Sequence, residues 1–292
     1  MAETRQVDQI TGVETTGHSW DGITELNNPL PRWWLWTFYA TIAFALVYTI
    51  LYPAWPMVSS ATSGLLGWSS RGDLEASVAA AKAADAGRLE KIAALSVEAI
   101  DGDQELRPAA IAAGKAAFKV NCVQCHGSGA EGGPGYPNLN DDSWLWGGTL
   151  EAIHTTLEHG IRYASDDDTR ISEMPAFGRD GILDRGQIDA VADYVLSLSG
   201  SAADQQTAAA EAGRTVFAEN CAACHGETGG GMKEVGAPAL DDAIWLYGGS
   251  KADIVRQVTA PRHGVMPAWG ARLGETTVKE LAVYVHSLGG GQ

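Results

Sequence analysis

The chain is poor in cysteine and in positive charge, and both shortages restrict what it can be. Its 292 residues include four cysteines, and 20 Lys and Arg stand against 36 Asp and Glu, for a formal net charge of −16. All four cysteines fall in two short motifs, so none remains for a disulfide framework. An acidic surface repels nucleic acid, which excludes that class of partner. Only one uncharged apolar run is long enough to span a bilayer.

Both cysteine pairs belong to Cys-x-x-Cys-His motifs, CVQCH at 122–126 and CAACH at 221–225. This pattern is the attachment signature of c-type haem, in which two thiols add to the vinyl groups and the histidine ligates the iron. We therefore predict two covalently bound haem c groups. The predicted attachment residues are Cys122 and Cys125 for the first haem, and Cys221 and Cys224 for the second.

Zinc and a redox dithiol are the alternatives for such pairs. A zinc site favours two pairs about 15–20 residues apart, whereas these begin 99 residues apart. A thioredoxin-like dithiol needs a βαβ context and no following histidine. A histidine after both pairs favours haem.

The motifs lie in an internal repeat of about 90 residues, the size of a small domain. Trp-Leu-aromatic-Gly-Gly at 144–148 recurs at 245–249, and Met-Pro-Ala-aromatic-Gly at 174–178 recurs at 266–270. Each copy closes on an apolar helical pattern, and a haem would give each small core a large apolar surface. The predicted fold is mainly α, with one N-terminal transmembrane helix followed by two tandem cytochrome c-like domains at 108–200 and 207–290.

Two methionines occupy matching places in the repeat, Met174 and Met266. A proline follows each, which disfavours a helix interior and places the thioether on a loop. His/Met ligation is the cytochrome c arrangement. We predict axial iron ligation by His126, Met174, His225 and Met266. The competing ligands are Met232, His154, His159 and His263.

Capping of both iron faces restricts the chemistry. Oxygen activation and peroxide cleavage need an open iron position, so six-coordinate haems favour electron transfer. A diheme peroxidase, the rival from the enzyme class, requires one open distal site.

The apolar run at 33–53 is predicted to be a membrane anchor. It has spanning length, and aromatic residues crowd both of its ends. A cleaved signal would have a shorter apolar region behind a basic head. Covalent haem attachment in bacteria takes place outside the cytoplasmic membrane, so we expect a single-pass inner-membrane protein with residues 1–32 cytoplasmic and the haem domains periplasmic. The Ala-rich stretch 54–107 is expected to be a partly ordered spacer with helices near 76–86 and 89–100.

The negative charge is concentrated in residues 101–200, which hold 16 acidic and 7 basic side chains. Such a surface attracts a basic electron donor at low salt. Asp166, Asp167 and Asp168, shortly before Met174, are a candidate docking patch, with a plain solvated loop as the alternative.

Residues 18–34, HSWDGITELNNPLPRWW, resemble the start of the diheme cytochrome c subunit (subunit III) of cbb3-type cytochrome c oxidase. Together with the anchor and two haem motifs, the resemblance covers nearly the whole chain. It implies ligand pairs of His126 with Met174 and of His225 with Met266.

The resemblance also implies a role and partners. Such a subunit accepts electrons from soluble or anchored cytochrome c donors and passes them to a monohaem cytochrome c subunit. That subunit feeds the catalytic haem–copper subunit of a proton-translocating complex, where oxygen is reduced. The chain itself is then expected to be non-catalytic. The rival within the same class is a diheme subunit of another respiratory complex.

Overall fold

Helices dominate the computed structural model, which describes residues 6–200 and 208–291. The chain divides into two units, 1–84 and 85–292, with helix α2 crossing the boundary. The strands are β1 (Thr15–Trp20) and β2 (Ile23–Leu26). The α-helices are α1 (Arg32–Leu51), α2 (Ser70–Ala94), α3 (Val97–Gly102), α4 (Leu106–Asn121), α5 (Val123–His126), α6 (Leu150–His159), α7 (Arg185–Leu198), α8 (Ala208–Asn220), α9 (Ala222–His225), α10 (Lys251–Thr259), α11 (Gly270–Leu273) and α12 (Glu275–His286).

The N-terminal unit contains a β-hairpin and the long apolar helix. Strands β1 and β2 pair antiparallel around Asp21 and Gly22, both with positive φ (49° and 84°). Two left-handed residues of the type Asp-Gly give the turn whose twist suits a two-residue hairpin. Helix α1 spans 20 residues, begins directly after Pro31 and buries none of its side chains within the chain. By length and composition it can cross a membrane, as predicted for 33–53.

The Ala-rich stretch is more ordered than its composition predicts. One helix, α2, replaces the first predicted helix and much of the second, and the Ser96 hydroxyl then accepts a hydrogen bond from the Ala99 N–H to start α3. Ile92 and Ile100 are fully buried. Arg88 donates to the Glu280 carboxylate of α12 at 2.9 Å. The second half of the expected spacer is therefore part of the core of the C-terminal unit.

The two sequence repeats exchange their closing helices. Helix α4, which opens the first repeat, packs against α12, which closes the second; α8, which opens the second, packs against α7, which closes the first. Phe118 meets Tyr284 edge to face at 5.4 Å between ring centroids, and Phe217 meets Tyr194 at 5.2 Å. The core around each of these helix pairs is thus assembled from both repeats.

Short chain connections favour one half of this exchange. Helix α7 ends at Leu198 and α8 begins at Ala208, so only the stretch 199–207 separates them. Elements joined by a short connection usually pack side by side. Most of this stretch lies outside the described residues.

Glycines allow both exchanged helix pairs to cross closely. A Cβ on Gly114 would lie 2.7 Å from the Tyr284 Cβ, and one on Gly213 would lie 2.7 Å from the Tyr194 Cβ. Both positions also lie against a backbone carbonyl of the partner helix. A helix backbone in a packed core cannot move aside as the end of a flexible side chain could.

We predict that Gly114→Ala destabilises the protein by about 1–3 kcal/mol, because the new methyl group overpacks the α4–α12 crossing. Gly87→Ala is the matched control: Gly87 is also helical, nothing lies near its would-be Cβ, and Ala there should stabilise by roughly 0.5–1 kcal/mol. Thermal unfolding of the detergent-solubilised protein measures both. Equal effects of the two substitutions would contradict the close crossing.

Candidate haem sites

Two apolar cavities, of about 180 and 230 Å³, lie in the C-terminal unit, one at each Cys-x-x-Cys-His motif. We call the cavity lined by Cys122, Cys125 and His126 the first site, and the cavity lined by Cys221, Cys224 and His225 the second site. Phenylalanine, leucine, valine and tryptophan side chains are among the remaining lining residues of both cavities. An apolar cavity beside two thiols and an imidazole fits a covalently held porphyrin.

The motifs have the same local structure in both sites. Cys122 lies between α4 and α5, and Gly127 (φ 81°) follows α5. The second site repeats this arrangement, with Cys221 between α8 and α9 and Gly226 (φ 79°) after α9. The first cysteine of each motif, Cys122 or Cys221, is buried, and the second is exposed. The helical turn thus presents both thiols to the cavity wall.

Each motif histidine is held in one orientation by a backbone carbonyl. Nδ1 of His126 lies 3.1 Å from the Pro137 carbonyl oxygen, and Nδ1 of His225 lies 2.9 Å from that of Pro238. A carbonyl only accepts, so Nδ1 carries the proton and donates, which leaves the Nε2 lone pair for a metal. This pair of contacts is what a proximal haem ligand requires.

Burial favours the uncharged forms of the motif histidines and of the first cysteine in each motif. It lowers the pKa of His126 and of His225, so that both imidazoles are neutral near pH 7. Burial, with a smaller contribution from the neighbouring cysteine, raises the pKa of the Cys122 and Cys221 thiols to about 11. Neutral imidazole is the form that binds a metal.

Both predicted methionine ligands line a cavity, but the pairing with histidine differs from the expected one. Met266 lies in the first site with His126, and Met174 lies in the second site with His225. The structure thus brings together other pairs than the expected ones, His126 with Met174 and His225 with Met266. The reason is the helix exchange: after α6, the chain crosses to the other site before it reaches Met174.

The methionine loops are fixed by different contacts. Ile161 and Met266 exchange two backbone hydrogen bonds, of 2.9 and 3.0 Å, which place Met266 in the first site. The Met174 N–H instead donates to Nε2 of His263 at 3.1 Å. His263, one of the competing ligands, thus lines the second site as a support for the methionine loop.

The other competing ligands line neither cavity. Met232 pairs with Ala237 in a tight turn. His154 lies 3.7 Å from the Glu158 carboxylate, and His159 lies 3.2 Å from that of Asp166. Both histidines of α6 thus have carboxylate neighbours outside the two cavities.

A wall shared by the two sites was not found from the sequence. Leu145, Arg162, Leu246 and Tyr247 line both cavities. The repeated Trp-Leu-aromatic segments signalled that Leu145 and Leu246 are equivalent, but nothing in the pattern placed them together. None of the repeated motifs in the sequence includes Arg162.

The fold and the two sites define a c-type cytochrome with two cytochrome c repeats. Family models agree and match along the chain: the N-terminal domain of cytochrome oxidase-cbb3, FixP, at 12–59; cytochrome c at 111–199; and cbb3-type cytochrome c oxidase subunit III at 208–285.

Curated relatives narrow this class to one family. A cbb3-type cytochrome c oxidase subunit FixPc from Rhizobium leguminosarum bv. viciae is 58% identical over 98% of this chain and 99% of its own length. A FixP from Rhizobium meliloti (strain 1021) is 56% identical over 99% and 98%, and a CcoP from Cereibacter sphaeroides is 56% identical over 95% of both chains. The chain belongs to the FixP/CcoP family of cbb3-type cytochrome c oxidase subunits, which confirms the predicted resemblance.

We predict that the methionine pairing can be read in single-haem variants. In a Cys221→Ala/Cys224→Ala background, which leaves only the first attachment site, Met266→His should lower the haem reduction potential by at least about 59 mV, a tenfold change for one electron, because His/Met ligation raises the potential. Met174→His should leave it nearly unchanged.

The reciprocal Cys122→Ala/Cys125→Ala background is the matched control for this prediction. There the two substitutions should exchange their effects. A potential that responds to Met174→His in the first background would contradict the pairing.

Proposed function

We propose that this protein is the diheme electron-transfer subunit of a cbb3-type cytochrome c oxidase. The observation that carries the proposal is the pair of equivalent cavities, each with a Cys-x-x-Cys-His motif on one wall and a methionine among its lining residues. Full-length similarity to oxidase subunits supports the choice of complex. Haem c, when bound, supplies a one-electron iron couple.

The chain's own residues would hold each haem on both faces. In the first site, Cys122 and Cys125 would carry the thioether bonds, with His126 and Met266 as axial ligands. In the second site the equivalent residues are Cys221, Cys224, His225 and Met174. The Pro137 and Pro238 carbonyls keep the histidine Nε2 atoms free for iron. With both faces capped, the sites favour electron passage over bond-making chemistry.

The shared wall supports electron transfer directly between the two sites. Leu145 and Leu246 each face both cavities, so a single layer of side chains separates them. The geometry therefore favours one two-haem relay over two independent centres.

Family membership and the anchor support a proposal for the partners and the location. We propose that a cytochrome c donor delivers electrons and that a monohaem subunit and the catalytic haem–copper subunit receive them. Oxygen reduction and proton translocation then belong to the complex, and this chain has a non-catalytic role. Helix α1 would cross the inner membrane once, with residues 1–32 cytoplasmic and the haem unit periplasmic.

The surface near the chain crossing supports donor docking. Ile171 is 70% exposed and Val265 59% exposed, and each adjoins a residue paired with Ile161. Asp167 and Asp168 lie close by in sequence and are exposed. Apolar contact close to both cavities, flanked by negative charge, suits a basic cytochrome. Asp166 is less available, because its carboxylate contacts His159.

Intact-mass measurement of the denatured protein should show the polypeptide plus two haem groups, and the native protein should co-purify with haem–copper and monohaem subunits. Capped irons further predict that carbon monoxide binds neither reduced haem rapidly. A mass with one haem or none would contradict the diheme relay. Rapid carbon monoxide binding would favour the peroxidase-type alternative.

We predict that electron delivery from a basic cytochrome c slows as ionic strength rises, since salt screens attraction between exposed charges. Asp167→Asn/Asp168→Asn should lower the low-salt rate constant by roughly a few-fold. Glu98→Gln/Glu105→Gln removes the same charge elsewhere on the unit and should have a smaller effect. Stopped-flow reduction measures both, and equal slowing would remove the docking role of this patch.

A further inference from the structure

Arg162 stands where the chain crosses between the two sites. It follows Ile161, the residue whose backbone pairs with both Arg170 and Met266. Its φ of 52° is in the left-handed region, which a residue with a long side chain seldom adopts. A non-glycine residue held there indicates that the surrounding contacts fix the backbone. Its side chain is one of the four that line both cavities.

The guanidinium ties the two methionine loops together. Nε of Arg162 donates to the Gly264 carbonyl oxygen at 2.7 Å, and Nη1 donates to that of Ser172 at 2.8 Å. Gly264 lies two residues before Met266, and Ser172 lies two residues before Met174. One side chain therefore holds equivalent points of the loops that serve opposite sites.

The charge of Arg162 is partly buried and lacks a close carboxylate partner in the described part of the chain, where no carboxylate oxygen lies within 4.0 Å of its nitrogens. Burial lowers its pKa, while Tyr247 and Glu173 act in the opposite direction; an arginine stays protonated at neutral pH in any case. A half-buried cation beside both cavities stabilises electrons on a nearby group more than a solvated charge does.

We propose that Arg162 is a positioning residue common to both haem sites, which fixes both methionine loops and raises the reduction potential of both haems. This inference rests on the proposed diheme function. Its specific content is that one substitution, in a residue that ligates neither iron, affects both centres together. A residue of one site alone would affect one.

The test is a redox titration of the complete oxidase with Arg162→Gln, Arg162→Lys or Arg179→Gln in this subunit. Arg162→Gln should lower the equilibrium constant for reduction of each haem about tenfold, which is about 59 mV for one electron. Arg162→Lys keeps the charge but loses the two-point fork, so both potentials should fall by less. Arg179 is exposed and lines neither cavity. Arg179→Gln should therefore change the equilibrium constant for reduction of either haem by less than threefold.

Intact mass separates failure of this inference from failure of the proposed function. Fewer than two haems on the wild-type chain would remove the function itself. With two haems attached, an Arg162→Gln variant that changes only one potential, or neither, would overturn the shared role. If Arg162→Gln does not accumulate with both haems, the same criterion applies to Arg162→Lys: two potentials lowered together support the role, and one or none overturns it.

Discussion

The backbone pairing of Ile161 with both Met266 and Arg170 is the constraint that fixes where the chain crosses between the two sites. The two hydrogen bonds between Ile161 and Met266 join the segment that leaves α6 to the loop of the other repeat. Because the chain crosses here, each motif histidine shares its cavity with a methionine from the other half. The two sites are therefore not separable modules. We therefore expect a change at the crossing to affect both sites.

The exchange is held by large apolar contacts as well as by the crossing. The core of the first site joins Phe118 and Cys122 to Leu281 and Val285 of α12. Helix α7 supplies the matching surface to the second site. The Arg88–Glu280 ion pair joins α2 to the same closing helix, although burial raises the pKa of Glu280 and so works against its charged form. The stretch before the haem repeats thereby contributes to the first site.

Much of this architecture can be predicted from the sequence. The pairing of the sites cannot, because the two repeats are so similar. The anchor, the haem motifs and the loop methionines follow from patterns of residue type and spacing. The pairing does not, because both repeats offer the same crossing chemistry: Gly114 and Gly213 have equivalent neighbours in Tyr284 and Tyr194. Either methionine suits either histidine on local grounds. The pairing of methionine with histidine depends on long-range packing and on the short α7–α8 connection. The position of Arg162 between the two sites also depends on the chain crossing after α6, so the sequence alone could not single it out.

The most direct test of the account is a density map of the purified oxidase that resolves the axial ligands of this subunit. The account predicts that the iron of the porphyrin bonded to Cys122 and Cys125 is ligated by the sulfur of Met266, and that the iron at Cys221 and Cys224 is ligated by the sulfur of Met174. Ligation of each iron by the methionine of its own repeat would contradict it.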